Sequence, residues 1–176
     1  MRRSVPAVFA LVVLAIGASP AQAQSVNFGV GGGLTIPIGD FGDVAKTGWH
    51  GLGIIGYQLQ SGIGLRGDFY YGQNNSDPSG VKFKLAGGLG NVTYSFSGKS
   101  SVTPYVIGSI GYFNFKAEGG GGSASESKVA FGGGGGIKFK AGSDSQFFVE
   151  GRYITINTSG SNANFIPITA GITFGM

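Results

Sequence analysis

The sequence predicts an all-β chain closed into an eight-stranded antiparallel up-and-down barrel that spans a membrane. Three observations predict it. Segments of about ten residues, rich in β-branched and aromatic side chains, run from near Ser25 to the last residue. The gaps between them alternate long and short. Aromatic residues gather toward the segment ends and leave mostly glycine and aliphatic residues in the middles, as two interfacial girdles flanking an apolar band would require.

The strands are expected at 25–37, 47–59, 63–73, 81–96, 102–116, 128–140, 146–156 and 165–176. Gln60-Ser61-Gly62, Ser97-Gly98-Lys99-Ser100 and Ala141-Gly142-Ser143-Asp144 are short, turn-rich connections after even-numbered strands. The gaps after odd-numbered strands, 38–46, 74–80, 117–127 and 157–164, are longer and polar. Phe41 falls in the first of them, and Gly119 to Gly122 with Ser123, Ala124 and Ser125 reads as a flexible loop in the third. Short periplasmic turns and long external loops are the asymmetry of outer-membrane barrels, and an even strand number returns both termini to the periplasmic side. The external girdle is expected to include Trp49, Phe69, Tyr70, Tyr71, Phe83, Tyr112, Phe113, Phe115, Phe131 and Phe165. The periplasmic girdle is expected to include Phe28, Tyr57, Tyr94, Phe96, Tyr105, Phe139, Phe147, Phe148 and Phe174. In strand eight the period of two sends Ile166, Ile168, Ala170, Ile172 and Phe174 to lipid and Pro167, Thr169, Gly171 and Thr173 inward. Strand five is apolar on both faces, so its facing stays open. The glycines within strands, Gly31 to Gly33 and Gly132 to Gly136, suit a narrow, tightly coiled barrel with little inner volume.

Ahead of the strands, Met1-Arg2-Arg3 is a positive start, residues 7–18 are a short apolar run, and Ala21-Gln22-Ala23 is a small-x-small cleavage site. The expected organisation is therefore a signal peptide at 1–23 and one barrel domain at 24–176. The apolar run is shorter than the roughly 20 residues a membrane-crossing helix needs. The chain has no cysteine, which closes the route to a lipid-anchored lipoprotein, to disulfides and to thiolate metal sites, and its single histidine argues against a histidine-built one. With Arg2 and Arg3 gone, ten basic residues face eight acidic ones, so the charge balance gives no reason to expect nucleic acid. Charged residues make up only 11% of the chain, too few to coat a soluble domain comfortably but compatible with an apolar outer belt.

Charged residues inside strands are the sharpest chemical feature. Arg66 and Asp68 share a face of strand three, and Glu150 and Arg152 share a face of strand seven. Arg or Lys on the lipid face at the bilayer midplane costs about 2–4 kcal/mol, so both pairs should point inward. Strands three and seven lie opposite each other in an eight-strand ring, close enough for salt bridges across the lumen, with Lys82, Lys84, Lys138 and Lys140 as further candidates. The network reads as a plug rather than an ion path, because a barrel of this size is just wide enough for side chains to fill it. Gly51-Leu52-Gly53-Ile54-Ile55-Gly56 and Gly62-Ile63-Gly64-Leu65-Arg66-Gly67 match a dinucleotide-binding spacing, but the helix that motif needs does not follow either. His50, beside Trp49, reads as a lone interfacial histidine; no nucleophile and carboxylate near it in sequence complete a catalytic set.

Several runs carry a family resemblance: Thr103-Pro104-Tyr105-Val106 with Gly108-Ser109-Ile110-Gly111-Tyr112, then Phe148-Val149-Glu150-Gly151-Arg152-Tyr153, then Ile166 to Phe174. Through them residues 25–176 resemble the small outer-membrane β-barrels of the OmpA transmembrane-domain, OmpX and opacity-protein type. The resemblance implies an outer-membrane location, a lipid environment and dealings with the barrel-assembly machinery. It also implies that Thr169, Gly171, Phe174 and Met176 form a C-terminal assembly signal. The expected function is a non-enzymatic barrel that anchors surface loops in a structural or surface-interaction role, with no cofactor, metal or catalytic residue and an external partner left open. A small channel, a lipid A-modifying enzyme and a soluble lipocalin-like carrier are the alternatives.

Overall fold

A computed structural model describes residues 25–59, 62–76, 82–96, 101–119, 122–157 and 162–175. The expected leader, Met176 and parts of the connections at 60–61 and 97–100 lie outside them. Eight strands form a closed barrel in sequence order: β1 (Ser25–Ile38), β2 (Gly48–Gln58), β3 (Ile63–Asn75), β4 (Lys82–Ser95), β5 (Val102–Gly119), β6 (Gly122–Lys140), β7 (Ser145–Asn157) and β8 (Asn162–Phe174). Every neighbouring pair is antiparallel, and β8 closes the ring on β1 from Phe28↔Phe174 to Ile38↔Asn164. Closure leaves no open edge in hydrocarbon, where an unsatisfied backbone group costs several kcal/mol. A one-turn helix, α1 (Asp40–Val44), sits in the first external connection.

Alternation decides what each strand shows to lipid. Trp49, Phe69, Tyr71, Tyr112 and Phe131 are exposed on the outer wall toward the external end, and Phe28, Tyr94, Phe96, Phe147 and Phe174 toward the periplasmic end. These form the girdles. The expectation placed too many aromatics there. Tyr70, Phe113, Phe165, Tyr105 and Phe148 are all buried in the lumen, and Phe83 and Phe115 pack against the same core. Proximity to a strand end cannot separate the two faces; only parity can. Parity also settles β5. Tyr105, Ile107, Ser109 and Phe113 are buried inside, while Val106, Ile110 and Tyr112 face out.

The third external connection differs from the reading as a loop. β5 and β6 stay in register from Val102↔Phe139 out to Gly119↔Gly122, so most of 117–127 is hairpin. Backbone pairing carries the ladder through this glycine- and serine-rich stretch without needing a hydrophobic face.

Glycine serves two faces for different reasons. At inward Gly134 a Cβ would lie 2.1 Å from the Gly151 carbonyl oxygen, and at inward Gly33 it would lie 1.8 Å from that of Ile168. At outward Gly53, Gly108 and Gly151 a Cβ would meet nothing within 4 Å. The tight periplasmic connections use glycine for its left-handed backbone instead, at Gly62 (φ 81°) and Gly142 (φ 106°).

Candidate functional site in the barrel lumen

The lumen is filled in layers. Nearest the middle, β3 and β7 bring together Arg66, Asp68, Glu150 and Arg152. Arg66 donates from Nε to Asp68 Oδ1 (2.6 Å) and from Nη1 to Glu150 Oε2 (2.9 Å). Arg152 donates from Nε to Glu150 Oε1 (2.5 Å) and from Nη2 to Asp68 Oδ2 (2.6 Å). Each arginine therefore bridges both carboxylates, and two charges of each sign balance. Both carboxylates are fully buried as side chains. The fork of donors on a guanidinium suits this crosswise arrangement, which a lysine could not reproduce.

Neighbouring strands satisfy the rest. The Tyr105 hydroxyl donates to Glu150 Oε2 (2.6 Å). Arg152 Nη1 donates to Asn91 Oδ1 (3.1 Å), to which Ser109 also donates (2.6 Å). Asn91 Nδ2 donates in turn to the Arg66 carbonyl (3.0 Å). The Arg66 guanidinium lies 5.3 Å from the centre of the Phe148 ring. Inward Gly132, Gly134 and Gly136 of β6 line the same level and let β6 lie close against the β7 backbone, since a Cβ at Gly134 would also come within 2.7 Å of the Arg152 Cα. Tyr105, Asn91 and Ser109 were missed by sequence reasoning. Tyr105 was placed in a girdle, and the only signal for the other two was a polar residue recurring on an inward-parity position.

The lysines divide by facing and by depth. Lys138 reaches inward below the ionic layer, where its Nζ donates to Ser95 Oγ (3.3 Å) and sits 4.8 Å from the centre of the Tyr105 ring. Lys82 and Lys140 are exposed near strand ends, and Lys84 falls on the outward register of β4, so none of these three enters the central network.

One layer toward the outside, His50 is buried in the lumen and is not interfacial as the sequence suggested. Its Nδ1 lies 3.0 Å from Thr35 Oγ1 and its Nε2 lies 2.9 Å from Thr169 Oγ1. The Tyr70 hydroxyl is 2.7 Å from Thr35 Oγ1, and its ring stacks on the imidazole at 5.0 Å. A consistent donor order runs from Tyr70 to Thr35 to His50 Nδ1, with the Nε2 proton given to Thr169. The imidazole is held by two threonine hydroxyls and stacked on a tyrosine; among the described residues, no carboxylate is hydrogen-bonded to it.

Above this, Tyr70, Phe113 and Phe165 meet edge to face or tilted at 5.2–6.3 Å, packed among Leu85, Leu89, Ile154 and Ile156. Helix α1 caps the mouth. Phe41 lies in the first external connection, where the sequence places it, and is buried, with its ring 5.8 Å from Phe83 and 5.7 Å from Phe115. Asn74 fastens this cap by donating to the carbonyls of Thr35 (3.2 Å) and Lys46 (2.8 Å).

Of the residues of the expected C-terminal signal, Thr169 faces inward to His50, and Gly171 lies over Phe148, where a Cβ would come 2.5 Å from the ring. Phe174 faces lipid, and Met176 is outside the described residues. The two glycine-rich spacings lie in β2 and across the start of β3, both extended rather than leading into helices. Among the described residues, no group of three or more histidine or acidic side chains is placed to hold a metal ion.

Comparison with known proteins agrees with this architecture. The structure is similar to that of Neisserial surface protein A, with a TM-score of 0.68 and 17% identity over 90% of this chain and 100% of that one. A major outer membrane protein from Thermus thermophilus gives 0.60 and 12% identity over 88% of this chain and 100% of that one. The N-terminal beta-barrel domain of Pseudomonas aeruginosa OprF gives 0.55 and 17% identity over 85% of this chain and 97% of that one. At these identities the likeness speaks for the fold alone. No curated protein matches the chain. The outer membrane protein beta-barrel domain family matches residues 8–174. The chain belongs to that family and is an eight-stranded barrel of the outer membrane.

Proposed function

We propose that this chain is a non-enzymatic surface anchor: a plugged barrel that holds a raised sheet edge outside the membrane in a structural or surface-interaction role. The height of the β5–β6 hairpin carries the reading. Among the described residues, β7 joins β6 only from Ala130↔Ile156, whereas β5 accompanies β6 out to Gly119↔Gly122. Residues 122–127 therefore form an edge strand beyond the rim, and edge strands accept extended peptides by strand addition. The layered lumen supports an anchor over a small channel, since charge, imidazole and aromatic layers follow one another along the axis. Purified protein in planar bilayers should give no discrete conductance steps. Regular steps of constant size would transfer the reading to a channel.

We also propose that Thr169, Gly171, Phe174 and Met176 are read during assembly, because β8 must close the ring on β1. Phe174→Asp should then lower the fraction migrating as a compact, unheated band in mild detergent electrophoresis, whereas Val44→Asp, at an exposed position of α1, should not. Equal assembly of the two variants would reject the signal.

A further inference from the structure

Below the ionic layer the lumen opens into a cavity of about 200 Å³. Its walls come from the starts of odd strands and the ends of even strands, so it lies at the periplasmic end of the barrel. Arg66 and Tyr105 form its roof, and Ser95, Thr103, Lys138 and Gln146 are among the polar side chains lining it. Among the described residues, no carboxylate lines it.

The charge balance of the lumen is what gives this cavity meaning. Asp68 and Glu150 are consumed by Arg66, Arg152 and Tyr105, and two positive charges there match two negative ones. Lys138 is one positive charge more. It spends one donor on a serine hydroxyl and rests against a tyrosine ring, neither of which carries a formal charge. In a narrow tube walled by protein and lipid, such a charge is favoured strongly by a counter-charge beside it. The neighbouring hydroxyls of Ser95 and Thr103 and the amide of Gln146 can donate hydrogen bonds to an anion as readily as to water.

We propose that this vestibule is a binding site for a compact dissolved oxyanion, a phosphate or a small carboxylate. The anion would enter along the barrel axis from the periplasm and be held by Lys138 with Ser95, Thr103 and Gln146. The ionic layer forms the blind end, so the site binds without conducting. It is independent of what the external hairpin contacts.

The test uses folded, ¹⁵N-labelled mature protein in zwitterionic detergent micelles near neutral pH. Inorganic phosphate replaces chloride at constant ionic strength. Saturable amide shifts are expected at Ser95, Thr103, Lys138 and Gln146, and none at Thr35 or His50 in the external half. Lys138→Met should raise the midpoint about tenfold or more, the loss of one charge-assisted hydrogen bond. Lys138→Arg should bind within about threefold of the parent, since the charge is kept. Shifts that never saturate, that cluster elsewhere, or that persist unchanged in Lys138→Met would overturn the site. If Lys138→Met does not fold, a parent titration without saturable vestibule shifts overturns it equally.

Discussion

The ionic layer and the aromatic plug occupy the same tube a few residues apart and hold it by opposite rules. Arg66, Asp68, Glu150 and Arg152 depend on identity. Every donor in the quartet has a chosen acceptor, so a change of one atom that removes a charge leaves another buried without its counter-charge. Phe113 and Phe165, with the ring of Tyr70, depend on volume. Their contacts are ring edges and faces at 5.2–6.3 Å, which a neighbour of similar bulk can replace. The difference teaches that a barrel can be filled in two ways, by matched charge or by matched shape, and that only the first is intolerant of near-isosteric change.

The largest effect that would break this comparison is expected from Asp68→Asn. It keeps the shape and removes the charge that Arg152 and Arg66 share, and should destabilise the barrel by about 3–5 kcal/mol. Adding Arg152→Met should recover part of that loss, a coupling that a double-mutant cycle measures. The fluorescence of Trp49, the single tryptophan, reports denaturant unfolding in micelles. Zero coupling would mean the charges act separately. Phe113→Leu, a larger change of shape in the other layer, should cost less, about 1.5 kcal/mol or below. If it proves as costly as Asp68→Asn, the two layers follow one rule.

The smallest effects sharpen the comparison at backbone level. Gly134→Ala places a methyl against the Gly151 carbonyl and the Arg152 Cα and should cost about 1–3 kcal/mol through overpacking. Gly108→Ala adds its methyl to open space on the lipid face. It should be neutral or stabilise by about 0.5–1 kcal/mol, because glycine is the poorer strand residue. Melting both variants against the parent would show a loss for Gly134→Ala and none for Gly108→Ala, and equal losses would contradict the inward and outward assignment.

Much of this was legible in the sequence, and the misses share a cause. Strand positions came from turn chemistry and aromatic spacing, and the charged quartet stood out because charges are rare within membrane strands. What the sequence left open was depth and facing. Tyr105 and Phe148 sit near strand ends, where a girdle and a lumen plug have the same composition. Phe41 lies in a short segment with no amphipathic period, and its burial is set by the packed pair of Phe83 and Phe115, two side chains far along the chain. His50 looked isolated because Thr35, Tyr70 and Thr169 come from three other strands. The β5–β6 hairpin was underestimated because its ladder is held by main-chain pairing, which leaves no hydrophobic pattern to read.

The crosswise salt bridges also bear on how the molecule comes into being. β3 and β7 stand on opposite sides of the finished ring, so Arg66 cannot reach Glu150, nor Arg152 reach Asp68, until the sheet has curled shut. A partly inserted, open sheet would hold two separate ion pairs, each missing its partner pair across the ring. Arg66 with Asp68 and Arg152 with Glu150 can pair within their own strands, but the crosswise bonds and ring closure are one event, so an incomplete assembly lacks half of the network. The quartet thereby disfavours a barrel left ajar in the bilayer.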